Sequence, residues 1–341
     1  MRAVVLVGGF GTRLRPLTLT TPKPMLPVVD RPILEWVLGG LGRAGIDEAI
    51  LSLGFKPDVF RGAYPDGTCE GVRLRYAVEP EPLDTAGAIR FAATEAGIDE
   101  RFVVVNGDVL TDLDYGALVA FHDAAGGEGT IALHRVEDPS AFGVVPTDED
   151  GRVLAFVEKP PRDEAPTDLI NAGTYVLEPG VLRRIPADQK VSVERVTFPA
   201  MVADGALFAV ADHALVGDAA VYWADTGTPA QYLDAMLDAV AGRRSLATPL
   251  AVHPGAVVDP TAVLDAAVVM DQASIGGGCR LRRCAVLAGA RLAADVVVDD
   301  AIIGPGAVVG AGARITGGSV VGADVTIDAG AVLEGQKVPA P

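Results

Sequence analysis

From Val258 onward an apolar residue returns every five or six positions: Val258, Leu264, Val269, Ile275, Leu281, Val286, Leu292, Val298, Ile303, Val309, Ile315, Val321 and Ile327. The steps run 6, 5, 6 and close into a 17-residue period. Few folds accept that spacing. An α-helix is excluded by the glycines of "IIGPGAVVGAGARITGG", since each interior glycine costs about 1 kcal/mol relative to alanine. A flexible Gly/Ala tail would not keep an apolar period over some four coils. The expected structure over residues 252–336 is a left-handed parallel β-helix of hexapeptide repeats, in which three short faces make one coil. One face per coil reads one residue short, until the last coil lengthens to 18.

The preceding part of the chain has a different texture. "AVVLVGG" is a buried strand ending in a glycine turn, and "RFVVVNGD" is another with an acid at its carboxyl end. Between them, "PILEWVLGGLGRAG" sets Ile33, Leu34, Val37, Leu38 and Leu41 on one helical face, with Pro32 early and Gly45 as the stop. Strand–helix–strand alternation predicts an α/β domain, Rossmann-like, with a mainly parallel sheet covered by helices on both faces. Its expected extent is 1–240, followed by a linker over 241–251. Ligands of such sheets sit beyond the carboxyl ends of the strands, where Gly8–Arg13 and Asp108 fall.

The formal charge is −17, a field that repels nucleic acid and anionic membrane surfaces, so neither is an expected partner. An anionic substrate must then be gripped by a local cluster of cations. Three cysteines with no CxxC spacing suit a reducing cytosol and argue against disulfides and structural zinc. "MRAVVLVGG" is too quickly interrupted to read as a signal peptide and no apolar run has spanning length. A cytoplasmic, homo-oligomeric protein is expected.

The cations gather in "GGFGTRLRPLTLTTPKPMLPV". This is neither a P-loop nor a GxGxxG fingerprint, but the physics is similar. Glycine lets backbone N–H groups approach phosphate oxygens, and adjacent Arg and Lys neutralise them. Arg13 lies two residues past Gly11, Lys23 follows on a proline-stiffened segment, and Arg15 is expected to be solvated or ion-paired.

At this string the chain resembles the sugar nucleotidyltransferases, or nucleotide-sugar pyrophosphorylases, whose signature GGxGTRLxPLTxxxPKPMLPV it carries from Gly8 to Val28. The resemblance continues in "PLDTAGAIRFA", "VVVNGDVLTD", "FGVV", "FVEKP", "INAGTYVLEP" and "YWADTGTPAQYLDA". With "SVERVTFPA" and the hexapeptide tail it is most similar to the short type of mannose-1-phosphate guanylyltransferase. It implies transfer of a nucleotidyl group from a nucleoside triphosphate to a sugar 1-phosphate, with GTP and mannose 1-phosphate as the favoured pair. A glucose-1-phosphate thymidylyltransferase, or another hexose- or heptose-1-phosphate enzyme, is the alternative, and a catalytically silent nucleotide-sugar-binding regulator a third.

The same resemblance assigns roles. Gly8, Gly9, Gly11, Thr12, Arg13, Thr85, Ala86, Gly87 and Gly107 would bind the nucleotide. Arg13, Lys23, Asp108 and Asp225 would be catalytic, the two aspartates holding Mg²⁺, for which carboxylate oxygens are suitable hard ligands. Gly143, Glu158, Lys159 and Asn171 would bind the sugar phosphate, Gly143 by letting the sugar ring approach. A structural role stands beside the functional one at two positions: Asp225 as the residue just before a helix capped by Thr228, and Glu194 as a surface acid beside the cap Ser192. Asp84 stands where the family has glycine, a position of positive φ or close approach, and aspartate tolerates the left-handed conformation better than most residues. An acyltransferase in the tail would need a catalytic base, and His253 is the only histidine there. The tail is instead expected to cap, to dock, or to build an oligomer.

Overall fold

A computed structural model describes residues 1–54, 56–216, 221–244 and 249–340. Part of the expected linker, residues 245–248, lies outside the described residues. The chain forms two compact units: Met1–Gly9 with Leu34–Trp223, and Phe10–Ile33 with Ala224–Pro341. This division by compactness runs differently from the division by chain order, because the segment 10–33 gathers with the repeats.

The first unit is built on strands β1 (Arg2–Leu6), β2 (Glu48–Leu53), β3 (Val72–Val78), β4 (Phe102–Asn106), β5 (Gly129–Arg135), β6 (Leu169–Leu177) and β7 (Leu207–Ala211). Their order across the sheet is β3-β2-β1-β4-β6-β5-β7. The first four are mutually parallel, β6 runs antiparallel to both neighbours, and β5 and β7 are parallel to each other. Val4, Ile50 and Val104 on the three central strands are buried, as a parallel sheet covered on both faces requires. Helix α1 (Ile33–Arg43) buries Ile33, Leu34, Val37, Leu38 and Leu41 as its spacing predicts, and Gly45 follows it at φ 76°. Helix α2 (Asp84–Glu95) packs on β1, β2 and β3. Helix α3 (Tyr115–Ala125) starts where the Asp114 carboxylate accepts from the Ala117 amide at 2.9 Å and stops at Gly126, φ 70°. Strand order reverses around β1, which lies between β2 and β4. The carboxyl ends of β1 and β4 therefore flank the crevice where such sheets bind ligands.

In the second unit the repeats form a parallel β-helix. One face comprises residues 257–258, 274–275, 291–292, 308–309 and 326–327. The other two faces are halves of one bent strand in Val263–Val269, Arg280–Val286, Val297–Ile303 and Arg314–Val321. Ile275 pairs with Leu292 and Leu292 with Val309, whereas Val309 pairs with Ile327. The apolar ladders of the sequence point inward and are almost wholly buried.

The short face has a simple cause. The bend within each long strand is a single residue in left-handed conformation: Ala266 (φ 46°), Arg283 (φ 41°), Asp300 (φ 50°). In the last of these strands two residues, Gly317 and Gly318, make the same corner, and the register slips there. That one residue is the difference between 17 and 18. A left-handed alanine is strained by about 1–2 kcal/mol, and glycine offsets part of its gain through chain entropy. Ala266→Gly is therefore expected to raise stability by up to about 1 kcal/mol, read from the urea midpoint; a lowered midpoint would contradict the corner assignment.

Helix α4 (Pro229–Val240) begins at Thr228, whose hydroxyl accepts from the Gln231 amide at 3.3 Å, and packs on the long solenoid strands. Arg283 clamps it, 2.8 Å from Asp234 and 2.9 Å from Asp300. Tyr232, wholly buried, donates to the Pro27 carbonyl at 2.5 Å and so ties the segment 10–33 to α4. Cys279 and Cys284 are buried free thiols; burial, with Asp299 adding, pushes the Cys284 thiol up to about 12, which keeps it protonated and inert. His253 Nδ1 accepts from the Gly255 amide at 3.1 Å and lies 3.1 Å from Asp271, closing a turn. Among the described residues no helix is long and apolar enough to cross a membrane.

Candidate active site

Three of the four residues expected to be catalytic meet in the second unit. Gly11 takes the left-handed conformation (φ 59°, ψ 33°) and opens a tight turn over Thr12–Leu14. A Cβ there would lie 3.0 Å from the Thr18 side chain and 3.1 Å from Lys23 Cβ. Glycine thus serves both the backbone and the approach of Lys23. Thr18 donates to the Gly11 carbonyl at 2.8 Å and fixes the turn. Thr12 and Arg13 are exposed on it, while Arg15 is half-buried rather than solvated. Lys23 is only 6 % exposed, fenced by Pro22 and Pro24, with Nζ 3.4 Å from Asp225 Oδ1.

Gly227 explains how these groups are brought together, and the sequence reading passed over it. It is buried, and a Cβ on it would lie 2.5 Å from Arg13 Nη2 and 2.9 Å from Asp225 Oδ2. The Arg13 guanidinium and the Asp225 carboxylate thus converge on its bare Cα. The glycine of "DTGTP" between a metal-type acid and a helix cap was the available signal. Gly227→Ala is expected to displace both groups and lower turnover by roughly 100-fold with the fold retained by circular dichroism; unaltered turnover would show the convergence to be idle.

In the first unit, Gly8 follows β1 and packs against Gly54 beyond the end of β2. A Cβ on Gly8 would be 3.3 Å from both Gly54 N and Glu79 Oε1. Glu79 also accepts from Ser52 Oγ at 2.9 Å and from the Leu83 amide at 3.0 Å, which ties the segment before α2 to the glycine turn. Gly9 faces open space. Gly107 donates to the Leu6 carbonyl at 2.9 Å and lies too close to Val7 for any side chain. It delivers the half-buried Asp108 to the carboxyl end of β4, as the sequence predicts.

The start of α2 is locked to the segment 191–194. The Ala86 and Gly87 amides donate to the Val191 carbonyl at 2.8 and 3.2 Å. Thr85 Oγ1 donates to Glu194 at 2.7 Å and accepts from the Val193 amide at 2.8 Å. Gly87 has the Gln189 carbonyl 2.6 Å from where a Cβ would be. These residues therefore have structural partners of their own, and Glu194, half-buried, is more than a surface acid. Ser192 is a cap, accepting from Arg195 N at 3.2 Å, but of a π-type turn over Val193–Thr197. Such turns are frequent at functional sites. Asp84 does adopt the left-handed conformation (φ 61°), its carboxylate accepting from the Thr85 amide at 2.8 Å.

The residues expected to bind the sugar phosphate lie on neighbouring strands. Gly143 and Glu158 are cross-strand partners, and Val144 pairs with Ile170, beside Asn171. The Phe156 ring fills the space that a Cβ of Gly143 would need, 2.6 Å away, so the glycine accommodates that ring. Lys159 is held at φ 50° with an exposed side chain 3.4 Å from Glu158. A left-handed lysine before proline stores strain of the kind found at ligand sites. Asn171 donates to Tyr175 Oη at 2.9 Å and accepts from the Gly173 amide at 3.0 Å. Burial raises the pKa of Tyr175, with Glu194 adding, so its hydroxyl stays protonated. Trp223 stacks on His134 at 5.2 Å, meets Phe142 edge-on, and donates to the Ala172 carbonyl at 3.0 Å. It fixes the strand next to Asn171, a contribution that the sequence did not signal.

The donor set suits Mg²⁺. Among the described residues no three acidic, histidine or cysteine side chains form a metal cage. Magnesium needs none, since it is commonly held by one or two carboxylates together with substrate phosphates and waters. Asp225 is 19 % exposed and already attracts one cation, the Lys23 ammonium.

Residues 2–241 match the family model described as nucleotidyl transferase, and residues 246–341 the one described as GMPPB C-terminal domain. The chain is 43 % identical to a mannose-1-phosphate guanylyltransferase of Mycobacterium tuberculosis, over 87 % of this chain and 82 % of that protein. It is 38 % identical to a mannose-1-phosphate guanyltransferase of Hypocrea jecorina, over 96 % and 92 %. To the mannose-1-phosphate guanylyltransferase catalytic subunit beta of Drosophila melanogaster it is 36 % identical, over 99 % and 92 %. A crystal structure of HddC from Yersinia pseudotuberculosis superposes with a TM-score of 0.58 at 29 % identity, covering 69 % of this chain and 97 % of that one. The protein belongs to the nucleotidyl transferase family and carries a GMPPB C-terminal domain.

Proposed function

We propose that the protein is a mannose-1-phosphate guanylyltransferase, joining GTP and mannose 1-phosphate to give GDP-mannose and pyrophosphate. The observation that carries the chemistry is the convergence of Arg13 and Asp225 on Gly227, with Lys23 beside Asp225. The relatives' names supply the base and the sugar. In this reaction a phosphate oxygen of the sugar 1-phosphate attacks the α-phosphorus of GTP and pyrophosphate leaves. Two polyanions must be held in line, and no covalent enzyme intermediate is required.

The glycine turn at Gly8, Gly9, Gly11 and Thr12 presents backbone to the triphosphate. Arg13 stabilises charge on the leaving phosphates, and Lys23, buried and directed by its prolines, acts at the α-phosphate. The sugar phosphate is paired by Lys159, while Glu158 and Asn171 recognise sugar hydroxyls and Gly143 shapes their strand pair. Gly107 positions Asp108, and Thr85, Ala86 and Gly87 fix the segment that faces the nucleotide. Asp108 and Asp225 are the carboxylates that would hold Mg²⁺, which would supply neutralisation of the phosphate charge that these few cations leave uncompensated. The outward valines Val257, Val263 and Val332, more than 60 % exposed on the solenoid, are apolar surface that a homo-oligomer would cover, and the free cysteines fit a reducing, cytoplasmic setting. A panel crossing GTP, ATP, dTTP and UTP with mannose, glucose and heptose 1-phosphates, read by pyrophosphate release, tests the reading. The highest kcat/KM is expected for GTP with mannose 1-phosphate; a higher value for another pair would reassign the substrates.

A further inference from the structure

We propose that Lys337, in the last solenoid coil, is a positioning residue for Arg13; the inference rests on the catalytic reading of Arg13 above. Lys337 Nζ donates to the Arg13 carbonyl oxygen at 2.9 Å across 324 residues of sequence. That carbonyl has a specific need for a donor. The turn at Thr12–Leu14 makes i→i+3 bonds, from Leu14 N to Gly11 O and from Arg15 N to Thr12 O. The next bond of the series would come from the amide of residue 16, and residue 16 is proline, which has none. The ammonium takes the place of the missing amide with a charge-assisted bond, the stronger kind.

The preceding coil touches the turn as well. A Cβ on Gly322 would lie 3.1 Å from the Pro16 side chain, and the Gly322 amide donates to the Val338 carbonyl at 2.7 Å. Lys337 and Val338 pair with Val320 and Val321, so both contacts issue from the stacked ladder rather than from a loose end. The last two coils thereby fix the backbone from which the Arg13 guanidinium reaches Gly227 and Asp225. The solenoid acts on the transfer step through one lysine.

The test is a double-mutant cycle in the full-length protein, with pyrophosphate release measured under saturating GTP, mannose 1-phosphate and Mg²⁺. Lys337→Met removes the donor and keeps the stem; it is expected to lower kcat roughly tenfold, with the KM for mannose 1-phosphate little changed. Lys337→Arg, which can still donate, should recover most of that loss. In an Arg13→Ala background Lys337→Met should have no further effect, because its action passes through the absent guanidinium. Additive losses in the double variant, or a Lys337→Met enzyme with normal kcat, would overturn the proposal while leaving Arg13 in its role. Near-normal turnover by Arg13→Ala alone would overturn both.

Discussion

Arg13→Ala is expected to lower kcat/KM by roughly two to three orders of magnitude, the effect of losing one preorganised donor to developing charge. Lys23→Ala should lose a similar amount, with the larger share in kcat. The two cations differ in setting. Arg13 is exposed on a left-handed glycine turn, and Lys23 is nearly buried beside Asp225. Removing Lys23 also leaves a half-buried carboxylate without its ammonium, so part of its loss should return as weaker folding. Arg13→Ala should leave the thermal midpoint unchanged and Lys23→Ala should lower it. Pyrophosphate release and thermal unfolding, measured together, separate the two. Equal activity of both variants and the wild type would return this stretch to an ordinary turn.

The acids should be more demanding still. Asp108→Asn and Asp225→Asn keep shape and remove one charge each. If each carboxylate holds the ion, kcat should fall by about a thousandfold or more, since metal stabilisation amounts to several kcal/mol. The KM for mannose 1-phosphate should move little, because the strands proposed to bind the sugar carry neither acid. A Mg²⁺ titration gives the second readout: the concentration for half-maximal activity should rise in both variants. An unchanged Mg²⁺ dependence would remove that aspartate from the metal assignment.

Much of this was legible in the sequence for physical reasons. The 17-residue period requires a solenoid because its apolar residues can be buried only by stacking, and the ladders do stack at that offset. The missing residue of each coil was visible, but its location was not. Left-handed corners usually announce themselves as glycine, whereas here they fall on Ala266, Arg283 and Asp300. Only Gly317 and Gly318 bear the signature. Asp84 is the opposite case, a non-glycine whose tolerance of positive φ could be anticipated.

The candidate site was legible where chemistry is local and hidden where it depends on long-range packing. Gly11, Arg13 and Lys23 could be read as a phosphate-type turn. Nothing local reveals that Gly227 carries Arg13 and Asp225 together, or that Lys337 holds the turn from the far end of the chain. The space at Gly143, expected to admit the sugar ring, also accommodates Phe156, and Ala86 and Gly87, expected to bind the nucleotide, donate their amides to the Val191 carbonyl. In each case a single sequence shows that a small residue is needed without showing what approaches it.

The proposed reaction is direct transfer of a guanylyl group within a cation-lined site. It is tested by supplying GTP labelled at the α-phosphate together with mannose 1-phosphate and Mg²⁺. All transferred label should appear in GDP-mannose, one pyrophosphate should be released per label, and none should remain on the protein after denaturation. Label retained on the protein, or released as free guanosine monophosphate while mannose 1-phosphate is left unchanged, would contradict the account.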